Sequence, residues 1–216
     1  MGRRVDVRAV EGSSERMLLP AGSVDLVLTD PPYHDDVQYS ELSLPLRAWA
    51  LLHEGELTGE ALVNRTRGQN SEAGDYEDLL TRIFKESRRT LRVDGHLIFS
   101  YANREPGAWV ALFGALQEAG FRACGCELVH SENETDYAKR AVRACTLDLL
   151  IDVVPAGDLP VNQWRPQSIP ETDEGAFLAE VVDEFLEVGA LEPGWSQTFA
   201  EALRGTAFLS SSRSGD

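Results

Sequence analysis

The sequence predicts an open α/β sheet with helices on both faces and a final antiparallel pair of strands. Short apolar runs typical of strands alternate with segments in which apolar residues recur at helical spacing. The last two apolar runs, residues 121–129 and 145–154, are separated only by a polar stretch, which favours antiparallel pairing. The chain has 216 residues, of which 43% are hydrophobic, enough for one ordinary domain with a sizeable core.

Two strands are expected near the start of the chain. Residues 5–10 alternate between apolar and charged side chains, which predicts a first strand. Val24–Thr29 is more continuously apolar and follows a proline–glycine turn. This second strand must end at Pro31 and Pro32, because neither residue has an N–H for a sheet ladder. Asp30 is therefore expected at the carboxyl end of a buried strand, where open α/β sheets bind ligands.

The remaining helices and strands are predicted from the spacing of apolar residues and from the prolines and glycines that bound them. A helix is predicted over residues 42–52, beginning near Ser43 or Leu44 because of Pro45. A second helix is predicted from Tyr76 through Leu91, with Asp75 as its cap. After it come a strand over 97–101, a helix over 109–116 that ends before Gly120, and C-terminal helices over 177–188 and 196–203. The expected organisation is a main domain over 1–154, a linker over 155–170, a helical extension over 171–209 and a disordered tail over 210–216.

Composition restricts the possible functions. No apolar run is long enough for a membrane span and no signal peptide is visible, so a cytoplasmic protein is expected. The three cysteines form no ligand-spacing motif, and no metal site is predicted. The net charge of -16 counts against a simple nucleic-acid binder. Local basic islands soften that objection: Arg65 with Arg67; Arg88, Arg89 and Arg92; Lys139, Arg140 and Arg143. The alternative interpretation is that these side chains belong to solvated faces and to the C-terminal turns of helices.

The tetrad Asp30-Pro31-Pro32-Tyr33 has the residues needed to methylate an exocyclic amine. An aromatic amino group is a poor nucleophile because its lone pair is delocalised into the ring. The Asp30 carboxylate and the Pro31 carbonyl are two acceptors that hold its N–H groups and stabilise positive charge on nitrogen. Tyr33 supplies a ring that stacks on a base extruded from a duplex. A plain turn after a strand is the alternative interpretation of these four residues.

The stretch from Val24 through Tyr33 resembles motif IV of the amino-methyltransferases, whose signature is (D/N/S)-P-P-(Y/F/W). Its continuation, His34-Asp35-Asp36-Val37-Gln38-Tyr39-Ser40-Glu41-Leu42-Ser43, is similar to the large prokaryotic adenine-specific DNA methylases, some of which lie beside anti-phage genes. Residues 91–101 also look like that family's next strand. The resemblance implies a partial Rossmann-like class I methyltransferase sheet, S-adenosylmethionine as cofactor, DNA as substrate and a role in restriction–modification or anti-phage defence.

Candidate cofactor and substrate residues follow from their place at predicted strand ends and, for the residues after the tetrad and for Asn133, from the resemblance. Cofactor contacts are expected from Asp30, Ser100 and Tyr101, with Glu11 as a weaker candidate for the ribose. The expected substrate-binding residues are Tyr33, His34, Tyr39, Asn103 and Asn133. His34 and Asp36 depart from the Tyr and Asn of the family pattern, which bears on the fit of the base more than on the chemistry.

The glycine-rich turn with which this family binds S-adenosylmethionine is not found in the sequence. The expectation is a catalytic half that needs a partner subunit, or an upstream segment, for most of the cofactor site, or that self-associates. Three alternatives remain: methylation of cytosine N4, methylation of a protein or RNA amide, and an inactive remnant that serves as an interaction module.

Overall fold

The computed structural model describes residues 6–31, 39–50, 73–131 and 145–210, with side chains over 6–31, 44–50, 76–131 and 145–209. In chain order these residues form β1 (Val24–Thr29), α1 (Tyr39–Trp49), α2 (Ala73–Thr90), β2 (Leu91–Tyr101), α3 (Pro106–Glu118), β3 (Phe121–His130), β4 (Leu147–Pro155), α4 (Asp173–Leu186), α5 (Trp195–Arg204) and α6 (Ala207–Ser210). The strands form one sheet in the order β1-β2-β4-β3. β1 is parallel to β2, whereas β4 is antiparallel to both of its neighbours. The predicted α/β sheet with a final antiparallel pair of strands is confirmed.

The hydrophobic core lies between one face of the sheet and the helices. In β2, Leu97, Phe99 and Tyr101 are buried while the residues between them are only half-buried, as the alternation of a strand requires. Phe99 packs against α2 through Phe84, with ring centroids 5.8 Å apart. Tyr101 meets Trp109 of α3 edge-on at 4.9 Å. No helix among the described residues is long and apolar enough to cross a bilayer.

The C-terminal helices belong to the same core. Phe113 of α3 packs against Phe185 of α4 and Phe199 of α5, with centroids 5.9 and 5.6 Å apart. The N-cap of α4 is Thr172, whose hydroxyl accepts a hydrogen bond from the N–H of Gly175 at 3.0 Å. The predicted helical extension is therefore packed on the sheet domain through aromatic rings.

The segment predicted as a linker, residues 155–170, runs along the outer edge of β3. The Trp164 N–H donates to the Cys124 carbonyl at 3.2 Å, and the Cys126 N–H donates to the Trp164 carbonyl at 3.4 Å. Gln163 adds side-chain hydrogen bonds to the carbonyls of Ala123 and Leu186. These contacts cover an edge that would otherwise expose unpaired backbone groups.

The strand predicted over residues 5–10 is wrong where the structure describes it, because residues 6–10 are irregular and exposed. Alternating side chains create a strand only where another strand accepts their backbone groups, and none of the described strands pairs with this segment. Residues 17–19, which come later in the chain, are instead hydrogen-bonded to the end of α2. The Met17 N–H donates to the Glu86 carboxylate at 2.7 Å, and Arg89 donates to the carbonyls of Met17 and Leu19.

Two predicted helix boundaries also needed correction. α1 begins at Tyr39 rather than near Ser43 or Leu44, so Pro45 lies inside the helix. A proline removes one helical hydrogen bond but does not prevent the helix from continuing around it. α2 ends at Thr90, and Leu91 starts β2, because Leu91 pairs with Val24 and is buried. The antiparallel strands, α3 with Gly120 beyond its end, α4 and α5 match their predictions within a few residues.

β1 lies at one end of the sheet, and no described strand pairs with its outer edge. Its side chains are unusually open for an apolar strand: Leu26 is 50% exposed and Leu28 is 72% exposed. An edge strand that carries exposed apolar side chains is a template for pairing with another chain.

We expect the chain alone to self-associate through β1, and Leu28→Lys to weaken that association because a charge on an edge strand opposes strand pairing. Sedimentation velocity over a range of micromolar concentrations measures it. Val93→Lys is the matched control, because Val93 is also an exposed strand residue, at 66%, but lies on β2. A wild-type chain that remains monomeric throughout would contradict the prediction.

Candidate functional site

The candidate site lies where the parallel strands β1 and β2 end together. Thr29 pairs with Phe99, so the next residues along each strand, Asp30 and Ser100, are neighbours. The Ser100 hydroxyl donates a hydrogen bond to Oδ1 of Asp30 at 3.2 Å. The structure thus brings together two predicted site residues that are 70 positions apart in the sequence.

Burial changes sharply at the end of β1. The Asp30 side chain is exposed, whereas the next residue, Pro31, is buried. A fixed proline φ and burial together restrict the backbone that carries the Asp30 carboxylate and the Pro31 carbonyl. The site therefore presents a carboxylate to solvent from a restrained segment of chain.

The chemistry available to this pair follows from its hydrogen bond. Ser100 donates to one carboxylate oxygen, and an ionised carboxylate has a second oxygen that also accepts hydrogen bonds. Fixing one oxygen reduces the rotation of the group and directs the other. Such a carboxylate is suited to hold an N–H donor at the carboxyl edge of the sheet.

Tyr101 lies in the core, although it was expected in the cofactor pocket. Its side chain has no exposed surface, and it packs edge-on against Trp109. Its hydroxyl lies 3.3 Å from the Tyr76 hydroxyl. Successive strand residues point to opposite faces, so when Ser100 faces Asp30, Tyr101 faces the helices.

Asn103 is nearly buried at the start of α3, where its side chain organises the turn into the helix. Its Oδ1 accepts from the Glu105 N–H at 2.8 Å, and its carbonyl accepts from the Trp109 indole at 2.8 Å. Through these contacts Asn103 stabilises the start of α3.

The other expected site residues are less informative. Glu11 is exposed in the irregular segment before β1. Tyr39 is the first residue of α1, and its side chain is outside the described part of the structure. Pro32, Tyr33, His34 and Asn133 lie outside the described residues altogether.

One basic island is occupied by contacts within the chain. Arg88 donates to the carbonyls of Gly120 and Ala156. Arg89 is paired with Glu86, and Arg92 with Asp25. These hydrogen bonds and ion pairs join α2 and β2 to their neighbours, although the side chains of Arg89 and Arg92 remain 40% and 53% exposed. The other two islands, residues 65–67 and 139–143, lie outside the described residues.

Sequence reasoning missed an acidic residue on the sheet. Asp152 of β4 is 8% exposed, and its Oδ1 lies 2.8 Å from Nδ1 of His96 on β2. The signal was present in the sequence, because Asp152 interrupts the apolar run over residues 149–154 of β4. A carboxylate in such a position is kept only when it has partners.

The two predicted cofactor residues of β2 should differ in their effect on stability. We expect Ser100→Ala to lower the free energy of unfolding by less than about 1 kcal/mol, because its hydrogen bond to Asp30 is exposed. Tyr101→Ala should cost about 3–5 kcal/mol, the range for removing a large buried ring. Urea denaturation followed by circular dichroism measures both. Equal costs would show that Ser100, too, serves the core.

The comparisons with known proteins complete the description. No protein-family model and no curated protein sequence matches the chain. Among solved structures, the chain is similar to PvuII DNA methyltransferase, a cytosine-N4-specific enzyme, with 19% identity and a TM-score of 0.40 over 78% of this chain and 59% of that one. It is also similar to TTHA0409, a proposed DNA modification methylase from Thermus thermophilus, with 16% identity and a TM-score of 0.39 over 90% and 94% of the two chains. The complex of TTHA0409 with S-adenosyl-L-methionine gives 17% identity and a TM-score of 0.38 over 90% and 93%. The chain thus spans 59% of the PvuII enzyme, and likenesses this distant carry no argument about its chemistry.

Proposed function

We propose that the chain is the catalytic half of an S-adenosylmethionine-dependent amino-methyltransferase that acts on adenine N6 in DNA. The observation that carries the proposal is the hydrogen bond from Ser100 to Asp30, at the shared carboxyl end of two parallel strands. Asp30 opens the tetrad Asp30-Pro31-Pro32-Tyr33, and the geometry supports a held carboxylate at this position rather than a simple turn.

The roles of the chain's own residues follow from hydrogen-bonding capacity. The Asp30 carboxylate and the Pro31 carbonyl each accept one N–H of the target amine, which turns the nitrogen lone pair toward the methyl donor. Both acceptors carry negative charge or partial charge, and they stabilise the cationic nitrogen as it forms. Ser100 is a positioning residue that orients Asp30. Tyr33 stacks on the extruded base.

S-adenosylmethionine supplies a methyl group on a positively charged sulfur when it is bound. The described residues fit the amine side of this reaction and not the nucleoside side of the cofactor. The sequence contains no glycine-rich turn, and the outer edge of β1 is unpaired within the described residues. A partner subunit or an upstream segment that adds a strand beside β1 supplies the rest of the cofactor site in this proposal.

The substrate assignment rests on the resemblance of the residues after the tetrad to adenine-specific enzymes. The tetrad itself does not distinguish adenine N6 from cytosine N4 or from a protein or RNA amide. The missing glycine-rich turn favours one further candidate, an inactive remnant that binds a partner through the β1 edge.

One experiment separates these candidates. The chain, alone and mixed with the product of a neighbouring reading frame, is incubated with methyl-labelled S-adenosylmethionine and with DNA, RNA or peptide. Mass spectrometry of the digested products should show N6-methyladenine from DNA. N4-methylcytosine, or label in RNA or peptide, would replace the substrate assignment. No transfer under any condition would support the remnant.

We expect Asp30→Ala to reduce methyl transfer by on the order of a hundredfold or more, the effect of removing one charge-stabilising group from a transition state. The fold should persist, because the Asp30 side chain is exposed. Asp30→Asn should retain part of the activity, since an amide oxygen still accepts a hydrogen bond. Single-turnover kinetics with circular dichroism as the folding control measures both. Wild-type rates for Asp30→Ala would remove this carboxylate from the mechanism.

At Tyr33 we expect the ring to matter more than the hydroxyl. Tyr33→Phe should be tolerated, whereas Tyr33→Ala should lose about 1–3 kcal/mol of base binding through lost stacking. Fluorescence of a 2-aminopurine placed at the target position reports whether the base is extruded and stacked. If the phenylalanine variant is as impaired as the alanine variant, the hydroxyl has a role that stacking does not explain.

A further inference from the structure

Three side chains of metal-ligating types meet on neighbouring strands, away from the Asp30 site. They are His96 of β2, Cys124 of β3 and Asp152 of β4, and their ligand atoms all lie within 4.8 Å of one another. His96 and Asp152 are in direct contact, with Nδ1 2.8 Å from Oδ1. None of the three belongs to a sequence motif, so only the order of the strands brings them together.

A β-bulge places the cysteine in this group. The pairing of β3 with β4 shifts between Ala123 and Gly125, so Cys124 is the extra residue. A bulge reorients a side chain that regular alternation would direct elsewhere. The bulge thus places the Cys124 thiol beside Asp152. Asp152 is the residue of β4 that pairs with Gly125 of β3.

Trp164 covers the bulge and contacts the sulfur. A Cβ added at Gly125 would lie 2.3 Å from the Trp164 ring, so the indole rests directly on the glycine backbone. The backbone of Trp164 is fixed by the Cys124 carbonyl and the Cys126 N–H. Its side chain hydrogen-bonds the Cys124 thiol. An N–H donor beside a thiolate is a common outer partner of a metal-bound cysteine.

The Cys124 thiol is not activated for catalysis. Burial, and then the Asp152 carboxylate, raise the pKa of the Cys124 thiol to about 11, although Trp164 and Arg122 act in the opposite direction. A thiol of this kind is protonated at neutral pH and is a poor nucleophile, which counts against a catalytic cysteine.

We propose that His96, Cys124 and Asp152 bind a zinc ion, with one coordination position left for water or a fourth ligand. A nitrogen, a thiolate sulfur and a carboxylate oxygen are the donors that zinc takes, and three protein ligands with an open position is an established zinc geometry. The bound ion links β2, β4 and β3, which are adjacent in the sheet.

The distances are compatible with this geometry. Metal–ligand bonds of about 2.0–2.3 Å at tetrahedral angles separate ligand atoms by roughly 3.3–3.8 Å. The ligand atoms lie within 4.8 Å of one another, and Nδ1 of His96 is 2.8 Å from Oδ1 of Asp152. Zinc binding therefore replaces that contact by a small separation of the two side chains.

The test is metal binding by the full chain, independent of any methyl transfer. Chelator-treated protein is titrated with Co²⁺, whose absorption spectrum reports tetrahedral coordination and thiolate ligation, and then with Zn²⁺. We expect one metal ion per chain with a thiolate-to-cobalt band. Cys124→Ser should abolish the band and weaken binding roughly tenfold or more. Cys145→Ser is the matched control, because Cys145 is also half-exposed but lies outside the group, and it should bind like wild type.

Two further measurements distinguish the loss of a metal ligand from misfolding of a variant. Zinc should raise the Tm of wild type and of Cys145→Ser but not that of Cys124→Ser, since only a ligand bound to the native state stabilises it. Trp164→Phe keeps the ring and removes the indole N–H; it should weaken Co²⁺ binding by about 10- to 100-fold and shift the thiolate band. Trp49→Phe is its control, because Trp49 is 86% exposed on α1.

Two results would overturn the site. One is a wild-type chain that takes up less than one equivalent of metal at micromolar concentrations. The other is the same thiolate band and affinity in Cys124→Ser as in wild type. Either outcome would leave His96, Cys124 and Asp152 as a hydrogen-bonded cluster that joins three strands.

Discussion

The pairing of β2 with two different strands is the constraint on which the rest of the structure depends. On one side β2 is parallel to β1, and this register places Asp30 beside Ser100 at the carboxyl end of both strands. On the other side β2 is antiparallel to β4, and this register places Asp152 next to His96. β2 therefore carries one residue of the Asp30–Ser100 pair and one residue of the cluster formed by His96, Cys124 and Asp152.

One face of β2 packs against the helices in the core, whereas the other face carries polar side chains. Phe99 and Tyr101 are fully buried against α2 and α3, where stacking and edge-on contacts between aromatic rings hold the helices on the sheet. His96 and Ser100 are half-buried on the opposite face. Alternation therefore decides which polar residue can meet a ligand, and it explains why adjacent residues, Ser100 and Tyr101, have different environments although both end the same strand.

The exposed edge of β1 links the fold to the proposed activity. A strand that holds a catalytic carboxylate gains from pairing on both sides, because each ladder restricts the backbone that positions the group. Within the described residues β1 is paired only with β2, and Leu26 and Leu28 are open to solvent. In the proposed function, a strand added at this edge would cover β1 and also bring the rest of the cofactor site.

The sequence by itself determined the elements whose signals are local. Helical periodicity, the two prolines after β1 and the glycine after α3 marked most boundaries within a few residues, and the placement of Asp30 at a strand end followed from the missing proline N–H groups. It misjudged residues 6–10 and the start of α1, because a strand needs a partner and a helix can continue through a proline. Tertiary structure alone decided the hydrogen bond between Asp30 and Ser100, the burial of Tyr101, and the meeting of His96, Cys124 and Asp152. Those features depend on strand order, register and a bulge, which arise from long-range backbone pairing and leave no spacing pattern in the chain.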